Sequence, residues 1–311
     1  MKQRLLTLVL SASLVGIASA GSAHLARADS GGVPNAQASQ DRPEIMMRMR
    51  GAKPGGGGNS NLTYHGGTPG VETGADKVYL VYWGSQWNNN DPSSEAAIQQ
   101  NFFKGVGGNS WNNSVTQYYG SSGTYATNPG GVLAGVWYDS GTAASSRPTQ
   151  SQLAAEAVNA AGHFGNIALG SNDTVQYVIN TATGNNSSGF KHQYCAWHSS
   201  TSSSYGNIAY TNMPYITDAG YSCGAGALGG ATDGITIVGG HEFAETETDI
   251  FPSGGWLDGS GAENGDKCAW ISSGQGAMIN VTLSPGSTFP VQSLWSNAFN
   301  TNAGGCVQSY P

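Results

Sequence analysis

Residues 239–270 carry most of the information in this chain, and they read GGHEFAETETDIFPSGGWLDGSGAENGDKCAW. The stretch holds seven carboxylates against one base, Lys267. The carboxylates are Glu242, Glu245, Glu247, Asp249, Asp258, Glu263 and Asp266. So many negative charges in one short segment repel each other, and each loses hydration if the region is even partly buried. A bound cation is the simplest resolution, and the alternative is an acidic, solvated helix end.

A helix over residues 233–249 would place His241 and Glu245 on one face, because they are four residues apart. Glu242 lies beside them. This is the spacing of His-Glu-x-x-His zinc hydrolases, in which the first and fifth residues bind the ion and the second takes a proton from water. Here the fifth residue is Glu245. A carboxylate in place of an imidazole makes the site harder, toward manganese, iron or calcium.

The N-terminal part of the chain is predicted to direct export. Lys2 and Arg4 precede an apolar run at residues 5–17, and small residues at 18–20 and 26–28 offer cleavage sites, so residues 1–28 are predicted to be a signal peptide. Residues 29–61 are polar and Gly-rich with a basic patch at 46–53, which favours a flexible leader. Residues 62–311 are then a single secreted domain.

The charge balance of the main part of the chain limits its partners. Residues 54–311 carry five basic and sixteen acidic residues. Such an acidic body has no cationic footprint, which argues against nucleic acid and against a membrane after signal cleavage. A protein or peptide substrate, or a cell-wall or matrix polymer, remains open as a partner, and we expect a monomer.

The cysteines form an even set in a chain predicted to be exported, so two disulfides are favoured over a thiolate metal site. They are Cys195, Cys223, Cys268 and Cys306. Three pairings are possible, and the pairing of nearest neighbours would close loops worth roughly 3 to 4 kcal/mol each. That pairing would tie the acidic stretch to the C-terminus.

Strands and helices alternate along residues 62–240. Apolar and β-branched runs predict strands at residues 77–84, 131–138, 173–180 and 207–215, the last an edge strand because it contains Pro214. Helix signals occupy residues 92–103 and 149–164, the second opening with a capping box. Residues 235–238 could be strand by propensity, and two short strands follow at 277–283 and 290–298. The order predicts an α/β (α+β) sandwich of a mixed sheet with helices.

The order of elements, followed by Val238-Gly239-Gly240-His241-Glu242-Phe243-Ala244-Glu245, resembles the catalytic domain of the zincin metallopeptidases. The resemblance implies a zincin-like sandwich in which the active-site helix follows an edge strand that aligns substrate. It also implies a third metal ligand, often a glutamate, some twenty residues later. Glu263 lies eighteen residues after Glu245, and Asp266 lies twenty-one after it. The second histidine of the zincin motif is absent.

A second resemblance covers roughly residues 64–306. It rests on Tyr64-His65-Gly66-Gly67, Tyr194-Cys195-Ala196-Trp197-His198, the pattern of residues 241–245, residues 263–268, and a C-terminal segment with Trp295 and Cys306. Together these are similar to the plant phosphate-induced/exordium family, of which the chain looks like a bacterial secreted relative. That resemblance implies an extracellular protein associated with growth responses rather than a particular reaction.

These observations favour a secreted metal-dependent hydrolase, and among hydrolases a peptidase. His241, Glu245 and Glu263 would bind the metal, with Asp266 as a further candidate ligand, and zinc is the metal expected. Glu242 would be the general base, and His198 would steady an oxyanion.

Three alternatives remain open at the level of sequence. The first is a non-catalytic exordium-like binding or cell-surface protein with a structural calcium site in residues 258–266, which are rich in oxygen ligands. The second is a metal-free acid hydrolase with paired carboxylates. The third is a wall-associated structural protein.

Overall fold

A computed structural model of the protein describes residues 45–51, 60–252 and 254–310, which belong to one compact unit. The predicted signal peptide and most of the predicted leader lie outside these residues. The strands are β1 Ile45–Arg48, β2 Thr63–Tyr64, β3 Lys77–Trp83, β4 Leu133–Asp139, β5 Val175–Thr181, β6 Tyr194–Ser203, β7 Gly206–Met213, β8 Trp256–Leu257, β9 Ile279–Thr282, β10 Thr288–Val291, β11 Leu294–Ser296 and β12 Gly305–Val307. The helices are α1 Glu95–Gly105, α2 Gln150–His163, α3 Asp233–Thr248 and the short α4 Phe299–Asn302.

A six-stranded mixed sheet forms the centre, with strand order β1-β6-β7-β5-β3-β4. The pairs β7-β5, β5-β3 and β3-β4 are parallel, and β6 runs antiparallel to both β7 and β1. The predicted mixed α/β architecture is therefore confirmed. The remaining strands form three two-stranded sheets, β2-β8, β9-β10 and β11-β12.

Helices cover both faces of the sheet. Helix α1 contacts α3, β3 and β4, whereas α2 contacts β5, β6 and β7. The connections from β3 through α1 to β4 and from β4 through α2 back to β5 run in opposite directions along the sheet, and because crossovers between parallel strands are right-handed, α1 and α2 belong on opposite faces. Helix α3 thus lies on the α1 face.

The capping box predicted at the start of α2 is present. The Thr149 hydroxyl accepts from the Gln152 backbone N–H at 3.3 Å, and the Gln152 side-chain oxygen accepts from the Thr149 N–H at 3.0 Å. This reciprocal pair satisfies two backbone donors that the first turn of a helix leaves unpaired.

The strand that precedes α3 in the chain is not at the edge of the sheet, contrary to the sequence prediction. β7 lies between β5 and β6, and the edges are β1 and β4. Pro214 directly follows Met213, the last residue of β7, so the proline removes no hydrogen bond from the ladder.

One part of the predicted flexible leader has regular structure. Ile45–Arg48 forms β1 and pairs antiparallel with β6, with Met47 opposite Ala196. The side chain of Met47 is fully buried. An apolar side chain that inserts into the core stabilises this segment despite its polar, Gly-rich flanks.

Helix α3 includes residues 235–238, for which residue propensities alone were also compatible with a strand. All sixteen of its residues are buried, including His241 and three glutamates. Its glycines permit close packing, because a Cβ on Gly240 would lie 3.1 Å from Trp111 and 3.2 Å from Phe102. Among the described residues, no helix is both long and apolar enough to cross a bilayer.

Both disulfides join nearest neighbours in sequence. Cys195 of β6 pairs with Cys223, and Cys268 pairs with Cys306 of β12, with Cα–Cα distances of 5.4 and 5.6 Å. The first bridge anchors the strand that carries His198, and the second anchors the loop that carries Glu263 and Asp266.

Candidate metal centre

The side chains of His241 and Glu245 meet on one face of α3, as their spacing predicts. The Nε2 atom of His241 lies 3.0 Å from Oε1 of Glu245 and 3.9 Å from Oδ1 of Asp266. The Asp266 backbone N–H donates to Oε1 of Glu245 at 2.9 Å, which fixes the loop against the helix. These three residues form one group whose ligand atoms lie within 4.8 Å of one another.

Gln292 sets the tautomer of His241. Its side-chain Nε2 donates to the carbonyl oxygens of Gly265 at 2.7 Å and Ser293 at 3.2 Å, so its Oε1 must be the atom that faces Nδ1 of His241 at 3.1 Å. An amide oxygen only accepts, and Nδ1 therefore carries the proton. In the neutral ring, the lone pair on Nε2 then points toward the two carboxylates, which is the arrangement a histidine ligand requires.

His198 reaches the same place from β6. Its Nε2 lies 2.8 Å from Oε2 of Glu263 and 3.7 Å from Oε2 of Glu245. His198, Glu242 and Glu245 form a second group within 4.8 Å, so the two oxygens of Glu245 face two different histidines. Burial lowers the pKa of His198 to about 4, which keeps this ring neutral.

Glu242 belongs to the second group, adjoins His241 in sequence and is 1 % exposed. Within the described residues neither of its carboxyl oxygens has an aligned hydrogen-bond partner. Burial raises the pKa of Glu242 well above its ordinary value, and the charges of Glu245 and Asp266 add to this, while His241 and the backbone N–H of Met47 act in the opposite direction. Met47 belongs to β1, so this strand approaches the carboxyl group directly.

The electrostatic field at the site is strongly negative. Burial would lower the pKa of His241, but Glu245, Glu242 and Asp266 together raise the pKa to about 10. Burial raises the pKa of Asp266 to about 7, and Glu245 contributes to that shift. Positive charge at Nε2 of His241 is thus favoured whether a proton or a cation provides it.

Several buried polar atoms at the site have no hydrogen-bond partner in the part of the chain that the structure describes. They are Nε2 of His241, both carboxyl oxygens of Glu242, Oε2 of Glu245 and Oε1 of Glu263. Buried polar atoms are normally paired, and several orphans in one place indicate a missing ligand. One imidazole nitrogen with several carboxylate oxygens is a donor set that fits a divalent metal ion.

All six residues singled out from the sequence for metal binding or catalysis lie in this one region. They are His198, His241, Glu242, Glu245, Glu263 and Asp266. The two later acids face different histidines, because Asp266 lies near His241 and Glu263 lies near His198. The zincin resemblance implied Glu263 as the third ligand; in the structure the Asp266 backbone N–H donates to Glu245, and the Asp266 carboxylate lies 3.9 Å from Nε2 of His241.

The calcium loop proposed as an alternative is not free to bind an ion through its first residue. Oδ1 of Asp258 accepts from the N–H of Ser260, the hydroxyl of Ser260 and the N–H of Ala262 at 2.6 to 3.0 Å. Its Oδ2 accepts from Nζ of Lys267 at 2.9 Å. Asp258 therefore stabilises a turn, and these hydrogen bonds hold its pKa at about 2 although burial opposes them.

A further set of carboxyls lies on the other side of α3. Nδ2 of Asn112 donates to Oε1 of Glu247 at 2.9 Å, and Asp76 lies against both Glu247 and Glu72. Burial raises the pKa of all three carboxyls, to about 7 for Asp76. These groups contain no histidine and form no metal-ligand group of the kind found around Glu245 in the described residues.

Two contributors to the site were missed in the sequence. Gln292 lies fifty-one residues from His241, and no local pattern connects them. Met47 belongs to a segment whose composition indicates a leader, although the alternation of methionine and arginine at residues 46–50 was compatible with a short strand. Only the tertiary fold brings either residue to the site.

Comparisons with protein-family models, with curated proteins and with solved structures found no match to this chain.

Proposed function

We propose that the protein is a secreted metal-dependent hydrolase and acts as a peptidase. The observation that carries this proposal is the convergence of Nε2 of His241, Oε1 of Glu245 and Oδ1 of Asp266 beside the unpartnered carboxyl group of Glu242. The two disulfides fit an oxidising, extracellular location.

His241, Glu245 and Asp266 would hold the metal ion, with Gln292 keeping the His241 lone pair directed at it. A divalent ion in this position supplies Lewis acidity, which lowers the pKa of a water molecule toward neutrality. Zinc is compatible with this set, and so are manganese and iron, because two of the three ligands are carboxylates.

Glu242 is the residue proposed to accept the proton. It adjoins His241 in sequence, and no described side chain makes an aligned hydrogen bond to either of its oxygens, so the carboxyl group is available for proton transfer. A general base contributes about 10² to 10⁴ in rate when it is correctly placed.

His198 and Glu263 are proposed to act as a pair opposite α3. Nε2 of the neutral His198 ring and Oε2 of Glu263 share one hydrogen bond at 2.8 Å, and the same Nε2 lies 3.7 Å from Oε2 of Glu245. This position is compatible with a contact to substrate. In this proposal Asp266 takes the place of Glu263, the third ligand that the zincin resemblance implied, and Glu263 is a neighbour of the metal site.

The hydrolase proposal is tested by casein hydrolysis at neutral pH with zinc present, after removal of metal with a chelator, and in the variant Glu242→Gln. We expect activity that the chelator abolishes and zinc restores. Glu242→Gln should reduce turnover by about 10² or more while the bound metal remains. Full activity of this variant with metal retained would contradict the role of Glu242.

The same experiment separates the alternatives. Activity that is indifferent to the chelator would favour a metal-free acid hydrolase. Calcium bound without a transition metal, and without hydrolysis, would favour a non-catalytic binding protein.

A further inference from the structure

Strand β1 occupies a position that matters for the candidate site. It pairs with β6 along residues Ile45–Arg48, with Ile45 opposite His198 and Met47 opposite Ala196. Without β1, β6 would be the edge of the sheet, because its other neighbour is β7. One side of the strand that carries His198 would then have unpaired backbone donors and acceptors, and in the structure these groups pair with β1.

β1 also contacts the catalytic side of α3. The side chain of Met47 is fully buried, and its backbone N–H faces the carboxyl group of Glu242. The neighbouring Arg48 interacts favourably with the charge of Asp266. The segment thus packs against both β6 and α3 next to the proposed base, and it fills the groove that these two elements would otherwise leave.

Two loops hold the C-terminal end of β1. The Arg50 N–H donates to the carbonyl oxygen of Ser222 at 2.8 Å, and the indole N–H of Trp270 donates to the carbonyl oxygen of Arg48 at 2.7 Å. Ser222 adjoins the disulfide at Cys223, and Trp270 follows the disulfide at Cys268. Two loops, each next to a disulfide, therefore bind the extended backbone of β1 at the groove.

The site is buried from solvent, and β1 is one of the elements packed against it. His241 is 0 % exposed, and Glu242 is 1 % exposed. A hydrolase cannot act on a substrate that does not reach its base, so an active form requires that something leave this groove.

We propose that the groove between β6 and α3 is a binding site for an extended peptide, and that β1 occupies it as a built-in competitor that holds the chain inactive. The autoinhibition rests on the proposed hydrolase function, whereas the peptide-binding groove does not. The favoured ligand is an extended segment that pairs antiparallel with β6 and places an apolar side chain at the Met47 position and a cationic one directly after it.

Charge complementarity supports this choice of ligand. Residues 46–53 carry three basic residues and no acidic ones, and residues 54–311 carry sixteen acids against five bases. A basic, extended segment is therefore attracted to the acidic groove. Extended peptides with basic side chains are accordingly the class of ligand that we expect the groove to bind.

The first test uses the full chain with Met47→Asp, which would bury an uncompensated carboxylate in the core and so expel the strand. Met46→Asp is the matched control, because Met46 is the adjacent residue and its side chain is only partly buried on the opposite face. We expect Met47→Asp to raise casein hydrolysis by about tenfold or more over the unmodified chain, and Met46→Asp to change it by less than about threefold. Equal rates in two folded variants would overturn the autoinhibition.

The second test reads binding and does not depend on activity. A fluorescently labelled peptide of residues 44–51 is titrated into the same three proteins, and fluorescence anisotropy is measured. We expect the peptide to bind saturably to the Met47→Asp chain and at least about tenfold more weakly to the unmodified chain. A peptide that itself carries Met47→Asp should bind to none of the three proteins. No binding to a folded Met47→Asp chain would overturn the proposal of a peptide groove. Binding without hydrolysis in any protein would leave the groove in place and refute the hydrolase.

Hydrogen exchange on the unmodified chain provides a measurement if Met47→Asp does not fold. A displaceable strand opens locally, so the backbone amides of β1 should exchange about tenfold or more faster than those joining β6 and β7. Equal protection of the two sets would show that β1 is a permanent part of the sheet and would overturn the proposal.

Discussion

At the scale of single residues, the chemistry of the site depends on which atoms face His241. The pairing of Nδ1 with Gln292 leaves Nε2 directed at Glu245 and Asp266. The sequence could predict His241, Glu242 and Glu245, because a helix places residues four apart on one face whatever surrounds it. It could not predict that Asp266 faces His241 while Glu263 faces His198, since this depends on how a loop packs against the helix.

Gln292→Leu is predicted to weaken metal binding. The substitution removes the acceptor for the Nδ1 proton of His241 and the donor to the carbonyl oxygen of Gly265. Loss of such an outer partner typically reduces metal affinity by about 10- to 100-fold. Zinc affinity would be measured by competition with a chromophoric chelator. Gln308→Leu is the control, because its side chain donates to Ala277 away from the site, and equal losses in both variants would refute the role of Gln292.

Gly265→Ala is predicted to disrupt the site by steric conflict. A Cβ there would lie 2.8 Å from Nδ1 of His241 and 2.9 Å from Oε1 of Glu245, closer than such contacts normally come. We expect a loss of zinc binding in the same competition assay. Gly259→Ala in the same loop has no atom within 4 Å of the added carbon and should bind zinc as the unmodified chain does. Unchanged zinc affinity in Gly265→Ala would contradict the packing described.

At the scale of elements, α3 is a helix buried on all sides, and its position is set by small residues. Periodicity could not identify it from the apolar residues alone, because a fully buried helix has no polar face. The same limitation applies to β6, whose residues 199–203 are serines and a threonine. Residues 199–201 are buried although they are polar, because neighbouring elements cover them, and no apolar alternation marked the strand, so it was missed.

The two adjacent glycines of α3 make a matched pair for testing its packing. A Cβ on Gly240 would press on the rings of Trp111 and Phe102, whereas on Gly239 it would meet only the methyl of Met213 at 3.5 Å. Gly240→Ala should reduce the free energy of unfolding by about 1 to 3 kcal/mol, because the overpacking outweighs the gain in helix propensity. Gly239→Ala should be neutral or stabilise by up to about 1 kcal/mol. Urea unfolding would measure both, and a stabilised Gly240→Ala variant would contradict the close approach of α1.

At the scale of the whole molecule, the sequence predicted the alternation of strands and helices, the mixed sheet and the possibility of two disulfides. It could not predict that β1 completes the sheet, because strand pairing across about 150 residues depends on a free edge that only the fold creates. The expectation that β7, the strand before α3, is an edge strand was wrong, because β7 forms an antiparallel hairpin with β6 and β6 therefore covers that edge.

The folded molecule should lose stability as pH rises through neutrality. Burial raises the pKa of Glu156 in α2 to about 8, and the neighbouring Asp139 contributes. Since this pKa lies above its ordinary value of 4.5, the protonated form is favoured in the folded state. The stabilisation is complete below pH 4.5 and is lost as the pH rises to about 8.

Glu156→Gln should flatten this dependence, because an amide remains neutral and can still donate to Asp139. Urea unfolding at pH 5 and pH 8 is expected to show a smaller fall in the free energy of unfolding for the variant, by an amount on the order of 2 kcal/mol. An identical fall in both proteins would show that Glu156 is already ionised in the folded state.

The central claim is that His241, Glu245 and Asp266 bind a single divalent ion. Equilibrium dialysis of zinc against the full chain, with His241→Asn and the control Asp258→Asn, tests it most directly. We expect roughly one zinc ion per chain for the unmodified protein and for Asp258→Asn, and an affinity lower by about 100-fold or more for His241→Asn. Zinc binding that is unaltered in a folded His241→Asn protein, or absent from the unmodified chain, would contradict it.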